Sequence, residues 1–177
     1  VSVATVVGRY WAMDRDKRWE RTARAYAAIV EAEGERTAPD APTAIRLAYE
    51  AGEGDEFVAP TVIEGYRGMA AGDGVLFANF RADRARQILT ALLDPAFDGF
   101  AHRPVPLADA CGLVEYSEDL AAHMRTIFPP KSVEHSLGEV VAGRGLRQLR
   151  IAETEKYPHV TFFFNGGEER RFPGADR

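Results

Sequence analysis

A single cysteine, Cys111, stands in the 177 residues, so no disulfide can form within the chain. That usage suits a reducing cytosol. Cys111 lies in an apolar run before Leu113 and Val114 and reads as a small buried hydrophobe. Long hydrophobic runs are missing too: no stretch approaches the roughly 20 apolar residues that cross a bilayer. Val1 to Val7 is too short for a secretory signal, and Arg9 follows it closely. Basic excess is absent. With 22 Lys and Arg against 27 Asp and Glu, the net charge is -5, which argues against a nucleic-acid surface. The four histidines, His102, His123, His135 and His159, are far apart and lack metal-ligand spacing such as His-Glu-x-x-His, so each reads as structural. Gly72-Asp-Gly74 and Asn165-Gly-Gly167 are turns and not phosphate loops, since no lysine and serine follow them. There is no internal repeat and no low-complexity tract.

What is present is an ordinary globular composition, 46% apolar and 28% charged, of a length for one domain or one and a half. Val1 to Val7 reads as a strand. Asp14 or Asp16 can cap the helix that follows. Trp19, Ala23, Tyr26, Ala27 and Val30 then recur at spacings of three and four, one buried helix face ending near Gly34. Thr37 to Pro42 reads as a loop and Thr43 to Ala51 as a helix stopped by Gly52. Thr61 to Glu64 and Val75 to Phe80 are strands. Asp83 to Leu93 is a helix with Ile88, Leu89 and Leu92 inward. Phe97 to Leu107 reads as loop, Gly112 to Tyr116 as a strand and Asp119 to Ile127 as a helix. Pro129-Pro130 stiffens the exit and marks a domain boundary. Ser136 to Gly143 is a helix, and Gln148 to Ala152 a strand. The segment Glu155 to Phe164 has strand-like Val, Thr and Phe content, but Thr154 as a cap, Pro158 in a first turn and the Asn165-Gly-Gly167 stop favour a helix. Strands alternating with helices through mostly parallel crossovers predict an α/β class.

Several residues could carry chemistry. Arg81 and Arg84 are three apart, on one face at the head of a helix that follows an apolar strand. Free amides and two guanidinium forks there suit a phosphate. On spacing alone they read first as surface arginines paired with Asp83 or Asp94. Arg9 ends a strand and Arg15 opens the next helix, at the edge where α/β sheets usually bind ligands. Taken alone they are solvated charges among Asp14, Asp16, Lys17, Arg18, Glu20 and Arg21, and Lys17 and Arg18 read as helix surface. Lys156 lies with Glu153 and Glu155 between an apolar stretch and an aromatic run. Buried charges are costly unless paired or used, so a lysine there suggests an anion site. A salt bridge to Glu153 or Glu155 is the plainer alternative.

Four segments add a resemblance. They are Gly8-Arg-Tyr-Trp-Ala-Met-Asp-Arg-Asp-Lys-Arg-Trp19, Val75-Leu-Phe-Ala-Asn-Phe-Arg-Ala-Asp-Arg-Ala-Arg86, Phe128-Pro-Pro130 with Leu137-Gly-Glu-Val140, and Arg150-Ile-Ala-Glu-Thr-Glu-Lys-Tyr-Pro-His-Val-Thr-Phe-Phe-Phe-Asn-Gly-Gly167. In this order, across nearly the whole chain, they resemble the cofactor-independent phosphoglycerate mutases. In that family an alkaline-phosphatase-like domain carries two manganese ions and a transiently phosphorylated serine, and an inserted α/β domain holds the phosphoglycerate.

The resemblance implies that residues 1–130 are part of the substrate-binding domain and that residues 131–177 begin the second segment of the phosphatase-like domain. Arg9, Arg15, Arg81 and Arg84 would bind the substrate, and Lys156 would reach the transferred phosphate. The metal ligands and the serine have no counterpart in the chain, which reads as an inactive piece of a larger enzyme. The parent would be a cytoplasmic glycolytic isomerase and a monomer, interconverting 3-phosphoglycerate and 2-phosphoglycerate without 2,3-bisphosphoglycerate. It would have neither nucleic acid nor membrane as a partner, and its two domains would move about Pro129-Pro130. His135 stands where the family usually has asparagine. A stand-alone anion-binding module and a related phosphosugar mutase of the phosphatase superfamily remain as alternatives.

Overall fold

A computed structural model describes residues 1–131, 133–168 and 170–176. The chain divides into two compact units, Val1–Pro129 and Pro130–Arg177.

The first unit holds two small sheets. β1 (Thr5–Val6), β2 (Arg36–Ala38) and β3 (Thr61–Ile63) form one, in the order β1-β3-β2. β3 lies antiparallel to β1 and parallel to β2. All three β3 residues are buried, as befits a central strand of β-branched side chains. The second sheet is wholly parallel: β4 (Gly74–Phe77), β5 (Asp109–Val114) and β6 (Arg125–Phe128), in sequence order. Parallel neighbours need crossovers. Helix α4 (Ala82–Leu93) serves between β4 and β5, and the single turn α5 (Glu118–Ala121), capped by Ser117, lies between β5 and β6.

Three further helices complete the unit: α1 (Arg9–Ala12), α2 (Trp19–Tyr26) and α3 (Ala41–Glu50). Asp40 caps α3 by accepting from the Thr43 amide, and Pro42 sits in its first turn. α2 runs into a π turn over Ala27–Glu31 and ends at Ala32 in the left-handed region.

Helix α4 is buried on two sides. Ile88 and Ala91 pack with Tyr26 and Val30 of the α2 segment. Ala85 and Leu89 pack with Ala110, Tyr116, Leu120 and Met124. The first core is thickened by Trp19, Phe97, Phe100 and His102 in edge-on aromatic contacts with one another and with Tyr26. In the second, the buried Tyr116 hydroxyl lies 2.5 Å from the Asn79 carbonyl oxygen, tying the exit of β5 to the exit of β4. Burial holds that phenol above its ordinary pKa. β5 passes so close beneath the ring that a Cβ on Gly112 would lie 2.3 Å from Tyr116.

The second unit is smaller. Ser136 caps α6 (Leu137–Gly143), and Glu139 accepts back from the His135 amide. His135 itself is left-handed, with φ 57°, a conformation that asparagine also favours. β7 (Gln148–Leu149) and β8 (Ala175–Asp176) pair in parallel. Arg150 is buried, with Nη1 donating to Asn165 Oδ1 at 2.6 Å.

Several elements differ from the sequence expectation. Asp119 to Ile127 is not one helix. Its Arg125-Thr-Ile-Phe128 part is β-branched and aromatic, and backbone pairing with β5 claims it as a strand. Arg36–Ala38 is likewise drawn from the expected loop by pairing with β3. Of the first seven residues the strand covers Thr5–Val6, and of the later stretch Gln148–Leu149. Neither Asp14 nor Asp16 caps α2, whose cap position is Arg18. Cys111 is half-buried, because Ala110 faces the α4 core and the next residue points to the opposite face. Glu155 to Phe164 is helical but broken: a 3-10 turn at Thr154–Lys156, α7 (Tyr157–Val160) and a second 3-10 turn at Phe163–Asn165, closed by left-handed Gly166. Thr154 is not its cap, since Glu153 holds that position.

Gly112→Ala is expected to destabilise the protein by about 1–3 kcal/mol, because the added methyl overpacks against Tyr116 and Met124. An unchanged midpoint in urea denaturation would show that the ring moves aside at no cost.

Candidate functional site

One cleft of the first unit collects most of the arginines singled out above. It has a volume of about 420 Å³, and Arg9, Arg81 and Arg84 line it together with Arg18 and Arg21. Asp14, Asp16 and Glu56 also reach it, so five guanidiniums face three carboxylates.

Backbone proximity sets the first wall. A Cβ on Gly8 would lie 2.4 Å from the Glu56 carbonyl oxygen, so only glycine permits this approach. The Gly8 amide donates to Val58 O at 2.8 Å and the Tyr10 amide to Glu56 O at 3.0 Å. Arg9 is thereby set beside Glu56 and pairs with it at 2.9 Å.

The second wall is the loop between α1 and α2, folded around one buried carboxylate. Asp14 is 4% exposed. Its Oδ2 accepts from the amides of Asp16 at 3.0 Å and Arg18 at 2.9 Å, and from Gln87 Nε2 of α4 at 2.9 Å. Gln87 Oε1 accepts the Lys17 amide in turn, which settles Lys17 at φ 58°. Inward amides leave the charged side chains outside. Arg18 reaches back to Asp14 at 3.2 Å and to Asp16 at 2.7 Å. Arg21 lies 3.8 Å from Asp14 and stacks 3.8 Å from the centroid of the Tyr10 ring. Burial pushes the Asp14 carboxyl up, but the Arg18 and Asp16 amides and the Arg18 guanidinium outweigh it and hold the group below its ordinary 3.8.

The third wall is the head of α4. Arg81 occupies its cap position and pairs with Asp83 through Nε at 2.9 Å. Arg84 donates to the Met13 carbonyl oxygen at 3.1 Å, and among the described residues no carboxylate pairs with it. Arg84 is therefore the cleft cation with the least neutralised charge. Arg15 is not brought into the cleft. It pairs with the far side of Asp83 at 3.0 Å and lines a neighbouring hollow. Burial raises the Asp83 carboxyl, yet hydrogen bonds from Arg81 and Arg15 more than offset it and the net shift is downward.

Arg18 and Arg21 were not singled out from the sequence, where Arg18 passed as helix surface. Their spacing of three, which places them on one face at the opening of α2, was the available signal. Lys156, in the second unit, is exposed and pairs with Glu153 at 2.5 Å. Glu153 and Glu155 are exposed too, so the buried charge of that segment is Arg150 and not the lysine. Among the described residues no group of His, Cys, Asp and Glu side chains could hold a metal ion. They do not fit a manganese centre.

The cleft is thus walled by guanidiniums in an α/β domain, at the head of a helix that follows a parallel strand. The family model described as the BPG-independent PGAM N-terminus matches residues 1–118. The chain belongs to the 2,3-bisphosphoglycerate-independent phosphoglycerate mutases. It is 59% identical to the enzyme of that name from Rhodopseudomonas palustris, over 100% of this chain and 35% of the relative. It is 56% identical to that of Paracoccus denitrificans, over 99% of this chain and 34% of the relative. A crystal structure of Leishmania mexicana phosphoglycerate mutase at low cobalt concentration is similar with a TM-score of 0.74 and 28% identity, over 99% of this chain and 34% of that one. The chain thus spans about a third of the length of these relatives.

Asp14→Asn is expected to lower stability near neutral pH and to flatten the acid limb of the stability curve. The folded-state pKa is depressed, so the wild-type contribution is complete above 3.8 and is lost as pH falls from there through the lower folded value. Losing this charge-assisted acceptor should cost roughly 1.5–3 kcal/mol. Urea midpoints from pH 7 to 3 would test it: parallel curves for the two proteins contradict the assignment.

Proposed function

We propose that the protein to which this chain belongs interconverts 3-phosphoglycerate and 2-phosphoglycerate, and that the cleft of residues 1–129 grips the phosphoglycerate. The observation that carries this reading is the convergence of Arg9, Arg81 and Arg84, with Arg18 and Arg21, on one 420 Å³ cleft. A phosphoglycerate presents a carboxylate and a phosphate, and guanidinium forks bind both in bidentate fashion. Arg84, which has no carboxylate partner among the described residues, is the natural anchor for the more highly charged phosphate. Arg9 exchanges Glu56 for the substrate, whereas Arg81 meets it while still held through Nε by Asp83. Arg15, one step outside the cleft, closes over the ligand from the Asp83 side.

In this reading residues 1–130 form part of the substrate-binding domain and residues 131–177 the start of a phosphatase-like second segment. Lys156 is the catalytic cation at the transferred phosphate. Its exposed position on a short 3-10 turn leaves the ammonium free to exchange Glu153 for a phosphate oxygen. A phosphorylated serine and two manganese ions belong to the same reading, on groups other than the residues described. The setting is cytoplasmic glycolysis, and the working form a monomer. No helix among the described residues is long and apolar enough to cross a membrane.

In the full-length enzyme, Arg81→Ala should lower kcat/KM for 3-phosphoglycerate about ten- to a hundredfold, the worth of a charge-assisted contact. Arg86→Ala should leave it nearly unchanged, because Arg86 Nε is occupied with the Tyr116 carbonyl oxygen at 2.6 Å. Equal losses would refute the cleft assignment.

The 177-residue chain alone, supplied with manganese and 3-phosphoglycerate in a coupled assay, should show no mutase turnover. Turnover in a preparation free of host enzyme would overturn the division of labour proposed here.

A further inference from the structure

We infer that Asp83 is a positioning residue for the substrate arginines, a single carboxylate that holds Arg15 and Arg81 as one preset pair. The inference rests on the proposed reading of the cleft. Asp83 sits in the first turn of α4, 23% exposed at its side chain. Its Oδ1 accepts from Arg81 Nε at 2.9 Å, and its Oδ2 accepts from Arg81 Nη2 at 3.3 Å and from Arg15 Nη1 at 3.0 Å. Arg81 faces the cleft, whereas Arg15 and Asp83 line the hollow beside it. The carboxylate is therefore the link that carries Arg15 of the α1–α2 loop to the head of α4.

Both arginines are half out in solvent, 43% exposed for Arg15 and 52% for Arg81. Unheld, each long side chain would have to be ordered by the substrate itself, which weakens binding. Held by one shared carboxylate, their forks already lie within one anion's reach of each other. A phosphate or carboxylate entering at Arg81 takes over a position that Asp83 has prepared. The negative charge of Asp83 works the other way, by repelling the ligand. That repulsion is muted because two guanidiniums neutralise the carboxylate and solvent screens the exposed rim.

Asp14 holds the same loop but has a different task. It orders the backbone amides from within, while among the described residues the side-chain hydrogen bonds of Asp83 run to two half-exposed guanidiniums, so its loss should spare the fold and strike the substrate.

The test is a set of four proteins in the full-length enzyme: wild type, Asp83→Asn, Arg81→Ala and the double variant, each measured for KM and kcat with 3-phosphoglycerate and for melting temperature. Asp83→Asn is expected to raise KM about tenfold, from the freed side chains, with kcat changed far less and melting little moved. In the double variant the KM effects should fall well short of multiplicative, because Asp83 acts through Arg81. An unchanged or lowered KM in Asp83→Asn overturns the inference, as does full multiplicativity, or a loss confined to kcat and melting temperature. If Arg81→Ala itself leaves KM and kcat untouched, the reading of the cleft fails instead. Arg81→Ala harmful with Asp83→Asn silent defeats only the positioning role.

Discussion

The carboxylate of Asp14 is the contact on which the cleft depends. A buried charge is tolerable only when its lone pairs are met, and here two loop amides, the Gln87 amide and a guanidinium meet them. The arrangement works in both directions. The loop wraps because the anion needs donors, and the wrapped loop turns Arg18 and Arg21 outward into the cleft. Gln87 makes it a tertiary contact, since the same side chain accepts from Lys17 and donates to Asp14 and Thr22. Without that amide, the loop between α1 and α2 would lose a polar tie to α4.

The cleft is cationic but not naked. Arg9 leans on Glu56, Arg18 on Asp16 and Asp14, and Arg81 on Asp83. Exposed pairs of this kind add little to stability. Their effect is to keep guanidiniums extended and near one another when no ligand is present, where mutual repulsion would otherwise splay them. Arg84 is the exception, anchored to a carbonyl oxygen that orients it without cancelling its charge. A ligand with unequal anionic ends would feel that asymmetry.

Much of this was legible in the residues. Helical periodicity exposed α2 and α4, Ser136 and Gly143 bracketed α6, and the spacing of Arg81 and Arg84 placed both at the head of one helix. What escaped was decided by strand pairing across the fold. Arg125–Phe128 reads as the tail of a helix until β5 offers it an edge, and Arg36–Ala38 reads as loop until β3 does. Arg15 illustrates a different limit. Its neighbours in sequence could not reveal that Asp83, 68 residues on, turns it away from the cleft. Nor could charge counting near Lys156 tell that Arg150, six residues earlier, is the buried cation of the segment.

The double burial of α4 has one more consequence. A helix packed on a single face can roll by some tens of degrees and still cover its core. A helix pinned by Ala85 and Leu89 on one side and Ile88 and Ala91 on another cannot roll without opening a void in one core or a clash in the other. The bearing of its first turn is therefore locked about its long axis. Four small or aliphatic side chains, none lining the cleft, thus act as the bezel in which Arg81 and Arg84 are set. Changes of volume among those four should shift the aim of the arginines before they unfold anything.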